Sequence, residues 1–467
     1  MIRIPLSMIS TIQAGDRFSV SIRFIDFKEV QVNLKDKSTA EEFINVVSNF
    51  SFCSTPQDWF VFAYKTIVSP DIDGWNVYNM VSEYKRLELL GGESNMWRTS
   101  TANENFSLCE SYSKLLVVPS NVSDDELLAS ARYRQNNRLP VVTWRNAQSR
   151  TMLFRSSQPL VGLLGRRCKE DEKLLRTCVD NMGDGRGVVV FDCRSSSSAI
   201  AQRFLAGGGR ELVRSMYYGI ADYVMLNIQN LSCQREHFDE LMRTCKTMND
   251  KTLRNIRIIS TLTQSNWCKQ LYQITTGAIA VANVLEKKAS VLIHCSDGLN
   301  RTSQVSCLAQ VLLDPYYRSF EGFQVLIEKD WVGFGHNFPL RLGYFSGEGR
   351  KMFSPIFIQW LDCVWQCMRM RPTSFEFNEK FLIAIAEASM QRRYGTFAFQ
   401  SPCMATASRA TERTVSVWTD LRARRSEFIN PFYKDSLRYL QLYFSEKEIS
   451  FWSGFYLKIS QSSDLNM

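Results

Sequence analysis

The chain is poor in histidine: His237, His294 and His336 are all it has in 467 residues. A lone His is usually a satisfied structural residue. No Cys/His group has metal-ligand spacing either, so no metal site is assigned. Apolar runs long enough to span a bilayer are missing, which leaves peripheral contact as the expected mode with membranes. Met1-Ile2-Arg3-Ile4-Pro5 is followed by polar residues rather than an apolar leader core, so no secretory signal is expected. The thirteen cysteines are scattered, which argues against a disulfide framework and predicts a reducing, cytoplasmic compartment with most thiols packed in the core. Finger spacing, the ring pattern of an RNA-binding sheet and a dense Lys/Arg block are also lacking, so nucleic acid is not the expected partner.

What is present is an ordinary folded composition, 45% hydrophobic and 22% charged, with enough aromatics (12%) for a sizeable core. The length allows one large domain or two ordinary ones. Fifty-six basic against 47 acidic residues give a net charge of +9, which suits an anionic partner such as lipid headgroups or a phosphorylated substrate.

Residues 1–65 read as short strands and one helix. Phe18 to Phe24 alternates apolar with polar, as a half-buried strand does, and Val30 to Leu34 is a second β-type run. Ser38-Thr39-Ala40-Glu41 has the form of a capping box, opening a helix with Phe43, Val46, Val47 and Phe50 on one face. From about residue 66 the texture changes. Gly187 to Asp192 and Ser290 to His294 are continuous apolar runs, as in strands buried on both faces of a central sheet. Helical patterns such as Leu271, Ile274, Ala278, Ala282 and Leu285 lie between them. Strands alternating with helices predict an α/β domain, a central mostly parallel sheet flanked by helices, over residues 66–467.

The informative segment is Val291-Leu292-Ile293-His294-Cys295-Ser296-Asp297-Gly298-Leu299-Asn300-Arg301-Thr302. It holds a Cys, five residues, then an Arg, between a buried-type strand and a helical pattern (Val305, Leu308, Ala309, Leu312) that stops at Pro315. Loop N–H groups and a helix N-terminus turned toward one point hold a phosphate. Arg301 at the helix mouth can clamp two phosphate oxygens. In that field Cys295 becomes the thiolate nucleophile, giving a phosphocysteine that water hydrolyses. Gly298 lets the loop approach its ligand, and Thr302 is placed to hydrogen-bond Cys295. Cys-x5-Arg by itself has only two fixed positions and fits an ordinary buried cysteine; the strand, the helix and the His-Cys-Ser-Asp-Gly string decide against that reading.

At these residues the chain resembles the myotubularin family, whose loop usually reads His-Cys-Ser-Asp-Gly-Trp-Asp-Arg-Thr. Further strings in the family's order are Gly74-Trp75-Asn76-Val77-Tyr78, Ser157-Gln158-Pro159-Leu160-Val161-Gly162, Leu313-Asp314-Pro315-Tyr316-Tyr317-Arg318, Phe334-Gly335-His336 and Phe375-Glu376-Phe377-Asn378-Glu379. The resemblance covers essentially the whole chain. It implies a cysteine-phosphatase fold preceded, over residues 1–65, by a partial GRAM (pleckstrin-homology-like) β segment that starts mid-domain at Ile4-Pro5-Leu6-Ser7-Met8-Ile9. A three- or four-stranded open sheet and one helix are then expected. The implied activity is metal- and cofactor-independent removal of the 3-phosphate from phosphatidylinositol 3-phosphate or the 3,5-bisphosphate. The implied setting is peripheral on endosomal membranes, alone or in an oligomer with itself or another myotubularin.

Carried over by motif, Cys295 is the nucleophile and Arg301 the clamp, with Ser296, Asp297, Gly298 and Leu299 lining the loop. Asn230, Gln202 and Arg341 match headgroup-contacting positions, although a structural role suits each equally well. Three residues depart from the family pattern. Asn300 stands where the family has the Asp that serves as general acid, Leu299 replaces Trp, and Asn337 replaces an Arg. An amide cannot donate the acid's proton, and Asp297, the other carboxyl group in the loop, is the candidate substitute. An active 3-phosphatase is therefore expected, of reduced rate. The alternatives are a catalytically weak or silent phosphoinositide-binding or partner-regulating module, and a protein tyrosine phosphatase, against which the flanking strings argue.

Overall fold

The computed structural model of the chain describes residues 6–25, 28–51, 59–66, 68, 71–91, 95–180, 187–205, 207–210, 220–247, 262–287, 289–344, 352–434, 437–460 and 463–465. Ile4 and Pro5 lie outside them. The chain opens with three antiparallel strands, β1 (Ile9–Ala14), β2 (Ser19–Phe24) and β3 (Glu29–Asn33). Alternation puts Val20, Ile22, Val30 and Val32 on the buried side. The helix Lys37–Ser51 closes that side through Ala40, Phe43, Ile44 and Val47. Val46 and Phe50, expected on the same face, are exposed. The helix cap also differs from the expected Ser38 box. Asp36 Oδ1 accepts from the Thr39 N–H at 2.8 Å and from Thr39 Oγ1 at 2.9 Å, because a carboxylate two residues before Ser38 fills the same role.

A two-stranded ribbon follows, β4 (Trp97–Ser100) with β5 (Leu116–Pro119). The central sheet then comprises β6 (Val141–Arg145), β7 (Met152–Ser156), β8 (Val188–Asp192), β9 (Ile220–Met225) and β10 (Ser290–His294). Their spatial order is β6-β7-β10-β8-β9. β10 runs parallel to both its neighbours and β8 parallel to β9, while β6 is antiparallel to β7. The sheet is mostly parallel, as the continuous apolar runs required. A last short strand, β11 (Ser463–Leu465), pairs parallel with β3 at the edge of the N-terminal sheet.

β7, β8 and β10 are buried at every position. All thirteen residues of the helix Arg301–Leu313 are buried too, packed against the helices Asn266–Glu286 and Ile356–Met370. The five positions picked out on Asn266–Glu286 (Leu271, Ile274, Ala278, Ala282, Leu285) are all fully buried. Parallel strands end together, so Ser156, Asp192, Met225 and His294 lie in adjacent register. The loops leaving them meet at one edge, where open α/β sheets form their binding crevices. Among the described residues no helix is long and apolar enough to cross a membrane, and no cluster of His, Cys, Asp and Glu could hold a metal ion.

Candidate active site

The loop from Cys295 to Asn300 joins the central strand to the buried helix. Gly298 makes the turn in the left-handed region, φ +72°, and a Cβ there would stand 2.4 Å from the Ser156 carbonyl oxygen. Only glycine permits that approach. The turn aims the Gly298 N–H at Cys295 Sγ, 3.2 Å away. Cys295 itself is buried, and the helix Arg301–Leu313 begins six residues on.

Asp297 stands against Cys295. Cys295 Sγ donates to Asp297 Oδ1 at 3.4 Å, and the Leu299 N–H donates to the same oxygen at 3.0 Å. The other oxygen, Oδ2, accepts from Asn300 Nδ2 at 3.1 Å. Asn300 therefore contacts the loop carboxylate directly, and its own Oδ1 is buried with no partner among the described residues. Arg301 is buried at the helix start, where Nη1 donates to the Ile228 carbonyl at 3.2 Å. That contact ties the clamp candidate to the segment after β9. Thr302 is buried, but its Oγ1 has no partner among the described residues, so the expected bond to Cys295 is not formed.

The outer residues separate. Arg341 is buried, with Nη1 on the Met352 carbonyl at 2.9 Å and Nε unpartnered among the described residues. Burial pulls its guanidinium below the ordinary arginine value, against the opposing pull of Asp297 and Cys295. It therefore lies within electrostatic reach of the loop. Asn230 is exposed and caps the helix Leu231–Thr247, its Oδ1 accepting from the Cys233 N–H at 3.0 Å. Gln202 sits on the helix Ser196–Leu205, where its Oε1 accepts from Gln158 Nε2 at 3.4 Å. The Gln158 N–H in turn donates to the Ser296 carbonyl at 3.1 Å. Ser296 and Leu299 are half-buried on the loop.

The residues that hold the loop from behind were not among the sequence candidates. Arg155 Nη2 donates to the Gly298 carbonyl at 3.0 Å and to Ser303 Oγ at 2.6 Å. Arg138 Nη2 reaches the same carbonyl at 3.2 Å. Arg155 is fully buried and ion-paired with Asp330 at 3.0 Å. Asp330 also accepts from Thr143 Oγ1 at 2.7 Å and from Gln310 Nε2 at 2.8 Å. On the other side Arg194 is ion-paired with Asp192 at 2.7 Å and bonded to Gln158 Oε1. Burial works against the Asp192 charge, but His294 and Arg194 outweigh it and hold the carboxyl well below its usual range. One sequence signal marked these residues: Arg155 and Arg194 are charges set in or just after runs that otherwise read as buried strand.

Two histidines brace the loop through their Nδ1–H groups. His294 donates to the Cys295 carbonyl at 3.2 Å and His336 to the Leu299 carbonyl at 3.1 Å. Burial pushes His336 down to about 3, the Leu299 carbonyl opposing the shift, so its ring is neutral at ordinary pH.

The arrangement offers a sulfur nucleophile, a carboxylate against it, and guanidinium groups around them. A family model described as a myotubularin-like phosphatase domain matches residues 59–404. Myotubularin of Rattus norvegicus is 34% identical across 97% of this chain and 76% of its own length. Phosphatidylinositol-3,5-bisphosphate 3-phosphatase MTMR2 of Mus musculus is 37% identical across 85% of this chain and 61% of its own length.

Proposed function

The chain belongs to the myotubularin family, and from that membership we propose that it removes the 3-phosphate from phosphatidylinositol 3-phosphate or the 3,5-bisphosphate through a phosphocysteine on Cys295. The observation that carries the reading is the placement of Asp297 between Cys295 Sγ and Asn300 Nδ2.

As the substrate docks, Arg301 and the loop N–H groups hold the phosphoryl oxygens, and Arg341, with its buried Nε turned to no protein group among those described, takes a headgroup phosphate. The Cys295 thiol proton passes to Asp297, to which it already donates. The Gly298 N–H supports the sulfur anion. The thiolate then attacks phosphorus in line, the S–P bond forms and the P–O bond to the inositol ring breaks. The leaving oxygen takes the proton from Asp297, which in this chain does the work of the acid that Asn300 cannot do. Water attacks the phosphocysteine with Asp297 as base, freeing phosphate and restoring the thiol. Asn300 keeps the Asp297 carboxyl turned toward sulfur. One carboxyl group that must both take the thiol proton and deliver it to a poor leaving group fits a slow enzyme rather than a silent one.

We also read residues 1–65 as a partial GRAM-like unit and residues 66–467 as the phosphatase unit, the three antiparallel strands and closing helix supporting the first. The setting proposed is peripheral on endosomal membranes, with a second myotubularin chain as a candidate partner. Phosphate release from short-chain phosphatidylinositol 3-phosphate, set beside a phosphotyrosine peptide, tests the reading; release from the peptide alone overturns it.

A further inference from the structure

A turn next to the catalytic loop carries its largest apolar side chains outward. Leu163 is 61% exposed and Leu164 94%. They are bracketed by Gly162 (φ +59°) and Gly165 (φ +65°). The turn is closed by the Arg166 N–H on the Val161 carbonyl at 2.7 Å, so the leucine pair sits on a fixed tip. Beside it runs the helix Ser196–Leu205, with Ile200 54% exposed and Phe204 67% exposed one turn apart on one face.

Arg203 joins the two elements, its Nε on the Gly162 carbonyl at 3.0 Å and Nη2 on the Leu163 carbonyl at 3.2 Å. The Gly162 N–H also donates to the Gly207 carbonyl at 2.7 Å. Leu163 and Leu164 on the turn and Ile200 and Phe204 on the helix thus expose four large apolar side chains on two elements tied to each other. Arg166, Arg203 and Arg210, in or just after these elements, are exposed too.

This surface is continuous with the site. Gln158 bonds to Ser296 of the catalytic loop through its N–H and to Gln202 of the helix through its side chain. We propose that the turn at residues 161–166 and the helix Ser196–Leu205 form a platform that inserts into an anionic bilayer and sets the catalytic loop against the lipid headgroups. Protruding apolar groups with arginines close by match an acyl boundary below anionic headgroups, and the net charge of +9 favours an anionic partner. The inference rests on the reading that the substrate is a membrane lipid, and it adds the surface by which that lipid is reached.

The test compares the full chain with the double variant Leu163→Asp, Leu164→Asp. All four platform side chains are more than half exposed, so thermal unfolding should be unchanged. Sedimentation with phosphatidylcholine–phosphatidylserine vesicles should weaken by about tenfold or more, the loss expected from withdrawing two leucines from lipid. Turnover of phosphatidylinositol 3-phosphate in those vesicles should fall with it, while turnover of the short-chain soluble lipid is unchanged. Vesicle binding equal to that of the unaltered chain overturns the proposal, as does an equal loss on the soluble lipid. A Leu164→Trp variant gives a direct readout. Its emission should shift to the blue on anionic vesicles, and an unshifted spectrum also overturns insertion. A chain that hydrolyses neither lipid form yet binds vesicles through Leu164 would remove the catalytic reading and leave the platform standing.

Discussion

Asn300 Nδ2 donates to Asp297 Oδ2 at 3.1 Å, and on its far side Asp297 accepts from Cys295 Sγ. The residue that departs from the family's acid thus contacts the carboxyl group proposed to replace it. Asp297→Asn should lower turnover of the lipid by about 10²–10⁴-fold, the usual size of a lost general acid. The loss should be smaller on an aryl phosphate, whose leaving group hardly needs a proton. Equal losses on both substrates would remove proton donation from the role of Asp297.

Asn300→Asp would set a second carboxyl group at hydrogen-bond distance from the first. Two such groups share a proton, and one of them holds it to higher pH. Turnover of the lipid should rise, and the alkaline limb of its pH–rate profile should move upward. The gain should shrink on the aryl phosphate. Parallel pH–rate profiles for the two enzymes would contradict this.

Gly298→Ala introduces a side chain at φ +72° and 2.4 Å from the Ser156 oxygen. Left-handed strain of this kind costs about 1–3 kcal/mol, and relief would move the N–H that faces Cys295. Turnover should be lost beyond detection while the protein still unfolds cooperatively, as calorimetry and phosphate release would show together.

Arg155→Met takes from the buried Asp330 the nearer of its two cations and leaves Lys329 at 3.5 Å. Breaking such a pair costs about 3–5 kcal/mol, and one of the two guanidinium contacts to the Gly298 carbonyl goes with it. Denaturant unfolding should register the stability loss, and turnover should fall in the fraction that remains folded.

His336 sits at about 3 in the folded chain against an ordinary 6.5. Between those values the unfolded chain binds a proton that the folded chain refuses, so stability rises with pH across that window and is lost as pH falls through it. His336→Gln should flatten that limb of the stability curve by about one proton, measured by unfolding at successive pH values. An unchanged slope would mean that the ring is protonated in place.

Much of this site is local, and local features were legible in the sequence. The β10 strand declares itself as an apolar run, the loop by its Cys-to-Arg spacing and Gly298, and the helix by its apolar positions. The supports were hidden because they reach across the fold. Arg155 lies 143 positions from the carbonyl it holds and Arg138 lies 160. Asp36 took the cap assigned to Ser38 because either residue can fill it. Asn230, matched both to a headgroup contact and to a structural role, caps a helix with its Oδ1. Val46 and Phe50 fit the helical stripe, but the sheet is covered by Ala40, Phe43, Ile44 and Val47 instead.

The most direct test of the account is phosphate release from short-chain phosphatidylinositol 3-phosphate by the unaltered chain, Cys295→Ser and Arg301→Lys. The unaltered chain should release phosphate. Cys295→Ser should release none while still folding and binding the lipid, because a hydroxyl in this cradle is no nucleophile at neutral pH. Arg301→Lys should be severely impaired, since an ammonium cannot supply a planar two-point clamp. Release by Cys295→Ser at the rate of the unaltered chain would contradict it.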